Sequence, residues 1–245
     1  MSSDPFEQFT TLTFDCYGTL IDWELGITQE LSVWAKRHGL ELSAETLLSA
    51  FSEFESTCQQ EMPTVAYPGI LQEVLRRIGA RFDIPASREE ARAFGGSVGG
   101  WPPFPDSREA LQRLAGDRKL VILSNVDRDS FARSQDQLGV EFDRVITAED
   151  MGFYKPDPRA FKHLVDDLQR TLGVDTDEIL HVAQSLYHDI APAKAEGLRT
   201  LWVNRRRGRS GWGATPSVDG GIQPDWEVGD LRELVSRVSP PDLAR

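Results

Sequence analysis

With 245 residues, 40% of them apolar, the chain is long enough to bury one large core, or one core and a smaller satellite. Its 39 acidic against 27 basic residues leave a net charge of -12, which argues against nucleic acid and anionic membranes as partners, because both demand a cationic footprint. Cys16 and Cys58 are too few for a disulfide framework and lack metal-ligand spacing, no run approaches the roughly 20 apolar residues of a membrane span, and Met1–Glu7 lacks the blocks of a signal peptide, so a globular cytoplasmic protein is expected.

In chain order, Thr11–Phe14 is a β-branched and aromatic run that reads as a buried strand. It leads into Asp15-Cys16-Tyr17-Gly18-Thr19, where Gly18 breaks the strand before a helical stretch beginning near Trp23. From about Ile21 to Gly100 there is no convincing strand. Leu47, Phe51, Phe54 and Cys58 share one helical face, and Ile70, Leu71, Val74, Leu75 and Ile78 repeat that spacing. The interval 21–100 therefore reads as a helical cap domain inserted into a core made of 1–20 and 101–245, with the Gly- and Pro-rich segment Gly95–Pro105 as its hinge.

Four more strands are expected. Leu120–Leu123 ends in Ser124-Asn125, Arg144–Thr147 is followed by Tyr154-Lys155-Pro156-Asp157, Ile179–Ala183 runs into Gln184 through Asp189, and Thr200–Val203 comes last. Short strands alternating with helical patterns predict an α/β fold with a parallel, five-stranded core sheet. The run Arg205-Arg206-Arg207-Gly208-Arg209 reads as a solvated loop with no aromatic platform but Trp212, and the Pro-rich tail from Ser239 as a frayed end.

A lone Asp-x-x-Gly-Thr is as readily a turn as a reactive group. What favours chemistry is recurrence: polar clusters follow four strands whose carboxyl ends a parallel sheet brings together, which is where open α/β sheets bind ligands. A carboxylate (Asp15), hydroxyls, an ammonium (Lys155) and a second carboxylate (Asp189) could thus share one crevice. Each has a plainer reading as well. Lys155 could be a solvated loop lysine, Asp189 a first-turn acid of a helix, His188 a helix-surface residue and Cys16 a small buried hydrophobe.

The ordered set of clusters resembles the haloacid dehalogenase superfamily over essentially the whole chain. That resemblance implies a Rossmann-like core with a mobile cap after the first strand, Asp15 as nucleophile, Thr19 and Ser124 as its hydrogen-bonding partners, Lys155 as the cation beside it and Asp189 as the acid of the fourth motif. Magnesium-dependent phosphatases of the superfamily carry Asp-x-Asp in the first motif and Gly-Asp-Ser in the fourth. Here Tyr17 and Gln184 replace those acids, removing a general acid and a metal carboxylate. Asp-x-Tyr-Gly-Thr instead resembles the 2-haloacid dehalogenase branch, which needs no metal or other cofactor.

That branch implies attack by Asp15 on a carbon bearing halide, then hydrolysis of the ester by water activated by Asp189, with Lys155 keeping Asp15 ionised. It also implies a small carboxylic acid as substrate, oriented by the N–H groups of Cys16 and Tyr17 and by Ser124 and Asn125, with Gln184 and His188 in the same pocket. A homodimer is compatible with this reading. The chain departs from the branch at Gln184 and Leu186, where Ser-x-Asn is expected, and in having no arginine within Phe54–Pro63 to meet the halide. Arg37, Arg76 and Arg77 are candidates for that role by charge alone. Another leaving group on the same nucleophile, a strained ring for example, stays open, as do a phosphatase and a fold retained for binding.

Overall fold

The structure, a computed structural model, describes residues 5–209, 211, 213–216 and 221–239; Trp212 and the tail beyond Ser239 lie outside them. Its sheet is parallel throughout and runs β3-β2-β1-β4-β5-β6. The strands are β1 (Thr11–Phe14), β2 (Lys119–Ser124), β3 (Arg144–Thr147), β4 (Ile179–Ala183), β5 (Arg199–Val203) and β6 (Trp226–Val228). This is one strand more than the sequence led us to expect. β6 is three residues long, too short to show a period, and it is held by its pairing to β5 at Leu201↔Trp226 and Val203↔Val228.

Helices α1 (Trp23–Arg37), α2 (Ala44–Glu61), α3 (Tyr67–Arg81) and α4 (Arg88–Ser97) occupy the interval between β1 and β2. Their starts are written in the sequence. The Ser43 hydroxyl accepts from the Thr46 N–H at the head of α2, and Ser87 with Glu90 forms a reciprocal capping box on α4. The expected stripes are inward: Leu47, Phe51 and Cys58 are buried, Phe54 partly so, and all five residues of the second stripe are buried. The proposed hinge is different. Gly95 and Gly96 belong to α4, and a Cβ on Gly95 would lie 2.4 Å from the Pro68 carbonyl oxygen, so this glycine lets α4 close on α3. The chain enters and leaves the helical insertion side by side, through Asp22 N–H to Pro102 O (2.8 Å) and Phe104 N–H to Leu20 O (3.0 Å).

The remaining helices cover the sheet: α5 (Ser107–Leu114), α6 (Arg128–Leu138), the single turn α7 (Ala148–Met151), α8 (Arg159–Leu172), the short α9 (Ala191–Ala195) and α10 (Leu231–Val238). Alternation along β1 sends Leu12 and Phe14 to the face packed by α5, α6 and α10, and Thr11 and Thr13 to the face where Phe161 of α8 lies. The strand order reverses direction at β1, between β2 and β4. Their carboxyl ends are thus the topological switch point, where a crevice for a ligand opens in folds of this kind.

The basic run after β5 is not a solvated loop throughout. Arg205 is half-buried, pairing with Asp106 and donating to the Thr19 carbonyl, while Arg206 pairs with Glu24 and Arg207 with Glu233. Arg205 thereby ties the loop to the turn that carries Thr19, Arg206 ties it to α1 and Arg207 to α10.

Candidate active site

Asp15 follows directly on β1 and is nearly buried. Gly18, at φ 94°, supplies the left-handed residue that turns the chain back so that Thr19 faces Asp15. The Thr19 hydroxyl donates to Asp15 Oδ2 at 2.8 Å and accepts from the Gln184 N–H at 2.9 Å, linking the ends of β1 and β4. Lys155 reaches in from the loop after β3, with its side chain 1% exposed. It donates to Asp15 Oδ1 (3.0 Å), Asp189 Oδ1 (2.6 Å) and the Leu123 carbonyl (2.8 Å), so its three N–H bonds are satisfied. The solvated-lysine reading is excluded. Asp189 sits in a π-helical turn, Leu186–Ile190, which presents its carboxylate to Lys155 rather than to a helix N-terminus.

The electrostatics follow from two buried carboxylates sharing one cation. Burial works against the ammonium, but Asp15 and Asp189 outweigh it and hold Lys155 above its ordinary pKa. Burial lifts the Asp15 carboxyl, and Asp189 adds to this, while Lys155 and Thr19 pull the other way; the net direction is upward. For Asp189 burial is overcome by the nearer ammonium and by His181, and its pKa falls. Lys155 therefore favours the ionised Asp15 but does not hold it below its ordinary range.

His181 went unnoticed in the sequence. It is fully buried on β4, its Nδ1 2.9 Å from the Thr13 hydroxyl and its Nε2 3.2 Å from Asp189 Oδ1, with its ring edge-on to Phe161. The available signal was one polar residue in the apolar run Ile-Leu-His-Val-Ala. With Oδ1 engaged by Lys155 and His181, Asp189 Oδ2 is left buried without a partner among the described residues.

Ser124 ends β2 on the cavity wall, but its buried Oγ bonds neither Asp15 nor anything else described, so the expected contact with the nucleophile is not made. Asn125 spends both ends of its amide on the Lys155 backbone, accepting from N–H at 2.7 Å and donating to the carbonyl at 2.9 Å. Its geometry is that of a clamp on Lys155, although it too lines the cavity. Tyr17 is a wall as well; its hydroxyl is 2.8 Å from Ser134 Oγ and its ring lies edge-on to Trp101. The N–H groups of Cys16 and Tyr17 have no acceptor among the described residues. The Cys16 side chain is buried outside the cavity, and burial pushes its thiol well above the ordinary value. Gln184 accepts from the Thr215 hydroxyl through Oε1. His188 is not on a helix surface: it is buried against Ser185, and burial lowers its pKa to about 4, leaving a neutral imidazole.

The insertion contributes Trp23, Glu55 and Tyr67 to the same cavity, none of them singled out from the sequence. Glu55 lies one turn beyond Phe51 on the apolar stripe of α2, which was the available signal. Arg76 and Arg77 pair with Glu73, and Arg77 also with Glu61; none of Arg37, Arg76 and Arg77 lines the cavity.

A family model of haloacid dehalogenase-like hydrolases matches residues 9–197. The chain belongs to this family. Among curated relatives, (S)-2-haloacid dehalogenase 4A of Burkholderia cepacia is 26% identical over 240 residues, covering 92% of this chain and 90% of that protein. A phosphoserine phosphatase of Thermus thermophilus is 30% identical over 171 residues, covering 67% and 62%. The structure of L-2-haloacid dehalogenase from Xanthobacter autotrophicus with chloropropionic acid covalently bound superposes with a TM-score of 0.73 at 20% identity, over 96% of this chain and all of that one.

For a haloacid dehalogenase-like hydrolase, a glutamate on this wall has a measurable consequence. Burial raises the Glu55 pKa from 4.5 to about 7, with the Tyr67 hydroxyl opposing. A carboxyl raised in the folded state stabilises most below its unfolded pKa, and that stability is lost as pH climbs from 4.5 through 7. Urea unfolding should therefore show wild type losing about 3 kcal/mol over that range relative to Glu55→Gln. Parallel pH profiles for the two proteins would refute the assignment.

Proposed function

We propose that the protein hydrolyses small 2-haloacids through an ester on Asp15, without a metal. The observation that carries this reading is the chain Asp15–Lys155–Asp189 at the sheet's switch point, with Tyr17 where a phosphatase needs its second acid. A halide leaves without a proton, so a nucleophile lacking a partner acid can displace it in line from a tetrahedral carbon. The Ser124 hydroxyl and the N–H groups of Cys16 and Tyr17 are available to hold the substrate carboxylate. Water then attacks the ester carbonyl, giving its proton to Asp189 Oδ2, the oxygen left without a partner.

The donors around Asp15 do not suit a divalent ion. The Lys155 ammonium already bridges the two carboxylates, Gln184 supplies an amide where magnesium sites use an acid, and no cluster of three or more His, Cys, Asp or Glu residues is arranged for a metal among the described residues. No step is routed through one. The cavity measures about 30 Å³, room for roughly two waters. A three-carbon acid therefore enters only when the helical insertion parts from the sheet, so the insertion acts as a cap whose closure excludes bulk water.

No helix among the described residues is long and apolar enough to cross a membrane. The test is halide release from 2-haloacids in the presence and absence of chelator. Turnover is expected to be the same in both and to invert the reacting carbon. Phosphate-ester cleavage that collapses in chelator and returns with magnesium would put phosphoryl transfer in its place.

A further inference from the structure

The cavity wall contributed by α2 holds an acid that the reaction as described does not use. Glu55 is 3% exposed, and both donors that reach it, Tyr67 Oη at 3.2 Å and Gln59 Nε2 at 2.5 Å, converge on Oε1. Its Oε2 is buried and has no partner, and no Lys, Arg or His is paired with it among the described residues. Burial favours the neutral acid against the pull of the Tyr67 hydroxyl, and with both donors on Oε1 the proton of that neutral acid sits on Oε2. Glu55 lines the same cavity as Asp15 and Asp189, whose charges are already met by the one Lys155 ammonium. Across the same cavity, Ser124 Oγ and Asp189 Oδ2 are also without partners among the described residues. An occupant between them would meet a hydroxyl and a nucleophile on the sheet side and the Glu55 acid on the insertion side.

We propose that Glu55 is a catalytic residue that donates the Oε2–H hydrogen bond to the group leaving the carbon attacked by Asp15, and that it adapts the site to small, strongly accepting leaving atoms, fluoride before bromide. This rests on the aspartyl-ester reading and specifies its substrate class as 2-fluoro acids. As the Asp15 oxygen bonds to C2, the carbon–fluorine bond breaks and fluoride departs with the electron pair, held by the Glu55 hydroxyl, which keeps its proton. Hydrolysis of the ester then consumes one water and frees Asp15, the hydroxy acid and one proton. A carboxylic acid serves here where none of Arg37, Arg76 and Arg77 lines the cavity, and a single O–H aimed at the leaving atom favours the strongest hydrogen-bond acceptor among the halides, fluoride.

The donor is lost when Glu55 ionises near pH 7. The titratable groups facing it are Tyr67 and Tyr154, whose phenols burial raises, Cys58, pushed up to about 11, and across the cavity His188, held near 4, and the Asp15–Lys155–Asp189 set. Of these, Asp15 is the other acid displaced upward, so it needs its own control.

The experiment has two arms. In the first, sodium fluoride is titrated calorimetrically into wild type, Glu55→Gln, Glu55→Leu and Asp15→Asn between pH 5.5 and 9. Wild type and Asp15→Asn should bind fluoride at least tenfold more weakly at pH 9 than at pH 6, taking up one proton on binding at pH 8. Glu55→Gln, whose amide still donates, should bind without pH dependence, and Glu55→Leu should lose the affinity. In the second, Glu55→Leu should lose fluoride release from 2-fluoropropionate by about a hundredfold and bromide release from 2-bromopropionate by less than tenfold. No fluoride binding, pH-independent binding by wild type, or undiminished binding by Glu55→Leu overturns the proposal. Loss of the pH dependence in Asp15→Asn, or equal losses for the two halides, also overturns it. Proton-linked fluoride binding in a protein that releases no halide sustains the donor and rejects the haloacid reading instead.

Discussion

A single turnover in isotopically labelled water, with enzyme in excess over a 2-haloacid, is expected to yield unlabelled hydroxy acid and labelled protein. The reason is that the carbon bonds to an oxygen that Asp15 already carries, and the ester is hydrolysed at its own carbonyl, so the solvent oxygen enters the carboxylate. Mass spectrometry of the peptide containing Asp15 locates the label. Asp15→Asn should lower turnover by roughly three orders of magnitude or more and form no ester. Asp189→Asn should accumulate the ester, because the first step needs no base and the second does. Labelled product from the first turnover would mean that water attacks carbon directly, and Asp15 would lose its assigned role.

The second large effect is expected from Lys155→Met. It leaves Asp15 and Asp189 buried with no cation between them, and breaking a buried pair in this way costs about 3–5 kcal/mol. The sign of its pH dependence follows from the same geometry. Without the ammonium both carboxyls titrate higher in the folded state, so the variant keeps most of its stability at acid pH and loses it as pH rises through those values. Urea unfolding should show a deficit that is largest at pH 8 and narrows towards pH 4, and the double variant Lys155→Met/Asp189→Asn should recover part of it at pH 8. A deficit below about 1 kcal/mol at pH 8, or one independent of pH, would show that the three groups are not electrostatically coupled.

Much of the site was legible because its signals are local. Strand, acid, glycine and threonine are contiguous at Asp15–Thr19, and a parallel α/β pattern already implies that residues after successive strands meet at one edge. What each polar group does with its hydrogen bonds was not legible, since that depends on the neighbour it finds. Asn125 holds the Lys155 backbone, Tyr17 bonds Ser134, and His188 is enclosed although its neighbours suggested a surface. The hinge glycines show the same limit. Gly95 marks a close helix contact rather than a bend, because composition reports freedom in the unfolded chain and says nothing of what packs against it.

By itself, then, the order of strands and helices, the helical nature of residues 21–100 and the candidates Asp15, Lys155 and Asp189 came from the chain, through periods of two and 3.6 residues and polar breaks after apolar runs. Tertiary structure decided the sixth strand, the Thr13–His181–Asp189 link and the presence of Glu55 over the cavity. Each depends on groups far apart in sequence becoming neighbours: β6 is too short to stand without β5, the buried His181 is met by Thr13 and Asp189, and Glu55 comes to the cavity only when the insertion packs over the sheet.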